Sequence, residues 1–112
     1  MPKRIDAIVR IEKMNQVKEK LVSIGVGGMT IYQATGWGKE RAVQLLGRTG
    51  KIMEVDLLPK VKFEIVAEDS KVNQIVNAII ESAKTGSVGD GIIMVSNIDT
   101  CINIRTEKEL EL

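Results

Sequence analysis

Thr85-Gly-Ser-Val-Gly-Asp-Gly91 is the part of this 112-residue chain best suited to chemistry. Three glycines and an aspartate follow a helical pattern and lead into an apolar strand. Such a turn lets successive backbone N–H groups converge on an anion. It is not a dinucleotide fingerprint, which needs GxGxxG between a strand and the following helix, nor a P-loop, since no Lys-Ser/Thr follows. On spacing alone a plain turn is the simpler reading. A second candidate spans about residues 37–58, where no clean period appears. It sets Lys39, Glu40, Arg41, Arg48, Thr49 and Lys51 among apolar residues such as Leu45 and Leu46. Connections longer than ~12–15 residues are usually functional or disordered, and apolar side chains there call for a partner to cover them. The expectation is a docking loop.

Residue types exclude much else. The chain has no histidine and one cysteine, Cys101. Neither a Ser-His-Asp triad, a Cys-His dyad, a His-ligated zinc site nor a CxxC site can be built. Sixteen basic residues against fifteen acidic ones leave a net charge of +1, with only Tyr32, Trp37 and Phe63 as aromatics. Nucleic-acid binding needs a basic footprint or stacking platforms, so it is not expected. The uncharged stretch Leu21–Gly38 is nearly long enough to span a membrane, but its five glycines make it a poor spanning helix. No leader pattern precedes the first strand, and a cytoplasmic location is expected.

The elements that must hold these segments follow from periodicity. Ile5, Ala7 and Val9 alternate with polar neighbours over 4–10, a strand. Met14, Val17, Leu21 and Ile24 form a helical stripe ended by Gly25. Residues 28–35 read as a second strand and 59–67 as a third, through Val61, Phe63 and Ile65. Asp69 or Ser70 is the expected N-cap of a second helix with core face Val72, Ile75, Val76, Ile79, Ile80 and Ala83. A last strand covers 92–95, with a short extended piece at 102–105 and a charged tail at 107–112 expected to fray. The fold class is α+β: a single ferredoxin-like βαββαβ domain over 1–112. One antiparallel sheet carries two helices on one face, with the long loop between strands two and three. Ile8, Val66 and the run 92–95 place apolar groups on both sheet faces. Two helices cannot cover both, so a homo-oligomer is expected.

In order along the chain, Gly28-Met-Thr30, Gly36-Trp-Gly38, Asp56-Leu-Leu-Pro-Lys-Val-Lys-Phe-Glu-Ile-Val66, Thr85–Gly91 and Ile104-Arg-Thr106 closely resemble the PII nitrogen-regulatory signal-transduction proteins. The resemblance implies a homotrimer with an adenine nucleotide, ATP or ADP with or without Mg²⁺, in clefts between subunits, and no other cofactor. It implies that Gly28, Met29, Thr30 and Val66 surround adenine. Gly36, Trp37, Gly38, Lys39, Gly89, Asp90, Gly91 and Arg105 would line the ribose and phosphates. It further implies that the loop over 39–56 regulates a membrane transporter or metabolic enzyme, with Glu40, Arg41 and Lys60 at the family's effector site, and that the chain is not an enzyme.

Departures from the family pattern cluster at the ligand site. The resemblance places Gln where Glu40 stands, Lys where Ile92 stands and Arg where Asn103 stands. A carboxylate at 40 repels a dicarboxylate effector, which argues against 2-oxoglutarate sensing, although Lys60 is kept. Charge-assisted hydrogen bonds contribute roughly 1.5–3 kcal/mol each, so losing two cations weakens a triphosphate most. The loop has no tyrosine for nucleotidylylation; Thr49 is its one hydroxyl. Four alternatives stay open: a conventional nitrogen sensor binding ATP, Mg²⁺ and 2-oxoglutarate, a slow ATP phosphohydrolase using Glu40, an ACT-type amino-acid module, and a scaffold of this family that has lost its ligand and serves only as an interaction trimer.

Overall fold

A computed structural model describes residues 1–38 and 57–111. Strand β1 (Pro2–Arg10) leads through a 3-10 turn into helix α1 (Met14–Ser23), followed by β2 (Thr30–Gly36). Beyond the undescribed segment come β3 (Leu58–Glu68), a second 3-10 turn, helix α2 (Val72–Ala83) and β4 (Gly91–Asn97). The sheet is antiparallel with order β2-β3-β1-β4, so the expected split βαβ architecture is present. Strand β1 sits at the centre, pairing Ile5 with both Ile65 and Val95.

The alternating apolar residues dictate which face is covered. Ile5, Ala7 and Val9 of β1 and Val61, Phe63, Ile65 and Ala67 of β3 are buried beneath the helices. They meet Val17 and Leu21 of α1 and Ile75, Ala78, Ile79 and Ala83 of α2. Burying each large aliphatic or aromatic side chain contributes ~1.5–3 kcal/mol, and this layer holds the sheet to the helices. Helix α1 ends where Gly25 takes φ +94, with Gly25 N–H donating to Val22 O and Val26 N–H to Leu21 O. Only a residue without Cβ adopts that closing turn cheaply.

Several boundaries differ from the sequence reading. Strand β2 begins at Thr30 rather than Gly28, because the chain from 24 to 29 bows away from β3. Neither Asp69 nor Ser70 caps α2; both lie in the 3-10 turn that precedes it, and no side chain caps either start. Ile80 is exposed, and Ala78 takes its place in the core. Strand β4 runs two residues beyond Val95. Of the expected extended piece, Ile102 bridges to Glu109 and Asn103 N–H donates to Lys108 O, while Arg105 lies in the turn. The Asn103 side-chain oxygen accepts from Arg105 N–H and Thr106 N–H and turns the chain there. Residues 107–111, expected to fray, thus return as the second limb of a small hairpin, with Leu110 N–H donating to Cys101 O.

Among the described residues no element covers the sheet face away from the helices. Ile92 and Met94 lie exposed on it. Beside them runs a charge network: Arg4 Nε lies 3.0 Å from Asp6, Arg4 Nη2 3.2 Å from Glu64, and Lys62 3.7 and 3.6 Å from Asp6 and Glu64. The Tyr32 hydroxyl donates to Glu64 at 2.7 Å. That hydrogen bond, chiefly, holds the Glu64 carboxyl below its ordinary value.

Candidate functional site

Apart from Arg105, the described residues singled out from sequence gather at opposite ends of the β2–β3 pair. At one end the ladder stops at Thr30 paired with Glu64, while β3 runs on to Glu68. One edge of β3 over 65–68 therefore has no strand partner among the described residues. The bowed chain 24–29 leaves a cavity of about 600 Å³ beside that edge, a size typical of small-molecule sites. Gly28, Met29, Thr30 and Val66 all line it. Ile24, Val26 and Ile75 give it an apolar wall, and Lys71, Glu111, Glu64 (paired with Arg4 and Lys62) and Glu68 (3.0 Å from the N-terminal ammonium) also line it.

The other end holds the glycine loop. Its first N–H groups do converge on an anion, but the anion is its own: Thr85 N–H and Gly86 N–H both donate to Asp90 Oδ2 at 2.9 Å, and the Thr85 hydroxyl donates to Oδ1 at 2.5 Å. Arg10 Nε lies 3.1 Å from the same carboxylate and its Nη2 donates to Val88 O at 2.8 Å. These bonds, the Thr85 hydroxyl's first, hold the Asp90 carboxyl far below the usual carboxylate range. Asp90 thus shapes the loop with its side chain.

Gly91 joins loop to strand at φ +113. A Cβ there would lie 1.8 Å from Ile8 O, so no other residue fits. Lys60, expected at an effector site, is buried, and its ammonium donates to Gly89 O at 2.6 Å. Gly36 lies over the same side chain, its hypothetical Cβ 3.0 Å from Lys60 Cγ. Gly36, Lys60 and the 89–91 loop therefore form one cluster at the neck of the undescribed segment. Trp37 is exposed beside them and Gly38 follows.

Arg105 lies in the C-terminal hairpin turn and is not among the pocket-lining residues. Lys39, Glu40, Arg41, Leu45, Leu46, Arg48, Thr49 and Lys51 lie outside the described residues. The sequence reading missed Arg10, which closes the first strand and carries no local signal of its distant partner. It also missed Glu64 and Leu110 at the pocket. Among the described residues no group of His, Cys, Asp and Glu is placed to hold a metal ion.

The edge cavity and the self-capped glycine loop thus sit at opposite ends of one split βαβ domain. Residues 2–108 match the family model described as nitrogen regulatory protein P-II. The chain is 44% identical over 109 residues to the nitrogen regulatory protein P-II of Haemophilus influenzae, covering 97% of this chain and 96% of that one. It is 43% identical over 107 residues to nitrogen regulatory protein P-II 1 of Escherichia coli K12, covering 96% and 95%. Among solved structures, Arabidopsis thaliana PII bound to citrate superposes with a TM-score of 0.77 at 33% identity, covering 98% of this chain and 86% of that one. The chain belongs to the P-II family of nitrogen regulatory signal-transduction proteins, whose members are regulators and not enzymes.

Proposed function

We propose that this protein binds an adenine nucleotide, ADP or ATP, between the subunits of a homotrimer, and that occupancy sets the conformation of residues 39–56, which dock on a transporter or metabolic enzyme. The observation that carries the reading is the split of the site. Four residues expected around the base line one cavity, while Gly36 and the 89–91 loop cluster at the far end of β2. Six residues of strand separate Thr30 from Gly36, about 20 Å at ~3.4 Å per residue. A compact nucleotide does not reach both ends within one chain. Two neighbouring chains supply the two halves without strain, and the exposed Ile92 and Met94 of the open face give those chains an apolar surface to share.

Occupancy reaches the neck through the backbone of Gly89, whose carbonyl Lys60 holds while the same side chain supports Gly36. A ligand that draws the loop differently in its diphosphate and triphosphate forms biases the neck by its differential contacts, and by no more than that. Of the described helices, none is long and apolar enough to cross a membrane. We place the protein in the cytoplasm, where nucleotide is available and a lone Cys101 stays reduced.

Isothermal titration with ATP, ADP and AMP, each with and without Mg²⁺ and 2-oxoglutarate, tests the reading, and Trp37, the chain's only tryptophan, gives a second signal at the neck. Nucleotide binding that 2-oxoglutarate leaves unchanged is expected. Cooperative binding of ATP, Mg²⁺ and 2-oxoglutarate would instead mark a conventional nitrogen sensor. Absence of nucleotide binding would overturn the mechanism.

A further inference from the structure

The C-terminal hairpin contributes a wall to the edge cavity. Its second limb is tied down by the Ile102–Glu109 bridge and by Leu110 N–H donating to Cys101 O. Leu110 and Glu111 then line the cavity beside Val66 and Met29. The cavity keeps about 600 Å³ with the hairpin in place, so the hairpin bounds the space rather than filling it. Leu110 is 37% exposed although it sits in a run of glutamates.

We infer that Leu110 is a ligand-contact residue: the hairpin limb 109–111 packs it against the face of a planar, uncharged heterocycle whose edge lies along the unpaired backbone of β3. Two observations choose that end of the ligand. The wall is apolar at Ile24, Val26, Ile75 and Leu110, which suits a flat ring. The rim carries Glu111 together with Glu64 and Glu68, which are already paired with Arg4, Lys62 and the N-terminal ammonium, so it offers carboxylate oxygens that accept from an exocyclic amino group but no cluster of free cations for a phosphate. The free edge of β3 adds backbone donors and acceptors for the ring's own. The identity of the heterocycle as adenine rests on the nucleotide reading above.

The test is titration calorimetry of the full chain and of Leu110→Ala and Leu110→Met with adenosine, AMP and ADP. Loss of the apolar contact predicts weakening of about tenfold for Leu110→Ala, by the same factor for all three ligands, and near-complete retention in Leu110→Met. Amide exchange adds a direct readout, with ligand slowing exchange at Leu110 in the unaltered chain. Urea midpoints of the variants within error of the parent confirm that the fold is intact. Unchanged affinity in Leu110→Ala would overturn the inference. A loss that grows with phosphate number would also overturn it, placing the limb at the wrong end of the ligand. Failure of the unaltered chain to bind any of the three refutes the nucleotide reading itself, and the inference with it.

Discussion

Replacing Gly91 by alanine puts the joint between the glycine loop and the sheet under the most direct test. An added Cβ falls 1.8 Å from Ile8 O and 2.9 Å from Ile8 C, well inside the 3.0 Å that real Cβ atoms respect. Both contacts are backbone atoms of the central strand, so no side chain can move aside. Relief requires β4 to separate from β1 around the Gly91–Val9 and Ile8–Ile92 pairs. Overpacking costs ~1–3 kcal/mol, the left-handed backbone ~1–2 kcal/mol for a non-glycine residue, and each ladder hydrogen bond lost ~1 kcal/mol. The sum is about 3–6 kcal/mol, a large part of the ~5–15 kcal/mol that domains usually have. Gly86→Ala is the control: φ is +88 there, but nothing lies within 4 Å of the added carbon, so only the backbone cost of ~1–2 kcal/mol applies. Urea unfolding at fixed protein concentration, with equal slopes, measures both. If Gly91→Ala costs no more than Gly86→Ala, the steric reasoning is refuted.

Three further outcomes are expected. Because the Asp90 carboxyl is held below its ordinary value, its contribution to stability is present above the unfolded value of about 3.9 and is lost as pH falls below it; Asp90→Asn should therefore unfold more readily at neutral pH and show a flatter stability profile between about pH 7 and 3. A profile as steep as the parent's would count against this. Tyr32→Phe removes the main cause of the lowered Glu64 value, so the Glu64 carboxyl should titrate higher by NMR; no movement would show that Arg4 and Lys62 suffice. Phe63→Ala empties the largest fully buried side chain and should cost ~3–5 kcal/mol in chemical denaturation.

Much of the fold is legible in the residues because two-residue alternation survives burial. Val61, Phe63 and Ile65 show it without interruption, as do Ile5, Ala7 and Val9. The stripe Val17–Leu21 and the stop at Gly25 follow equally from helical spacing and from glycine's access to positive φ. What sequence pattern does not carry is pairing at a distance. That Arg10 reaches Asp90, or that β3 outruns β2 by four residues and so opens a cavity, depends on register between segments far apart in the chain. The spacing of the glycine loop allows a plain turn or an anion nest, and composition is the same whether the anion arrives from outside or is the loop's own Asp90. Leu110 was hidden for a different reason: a charged, aperiodic tail looks frayed until the Asn103 side chain is seen to turn it back.

The central position of β1 also fixes the order in which this molecule can be made. The first strand synthesised finds its neighbours only at residues 58–68 and 91–97, with Lys3 opposite Ala67 and Asn97. Until the ribosome has passed residue 97, one edge of β1 has nothing to pair with, and its alternating apolar face has only part of its cover. Helix α1 can form early but has no sheet to rest on. Folding is thus governed by long-range closure more than by local structure, which slows it relative to a helical bundle of this size, and the nascent chain carries an open β edge for most of its synthesis.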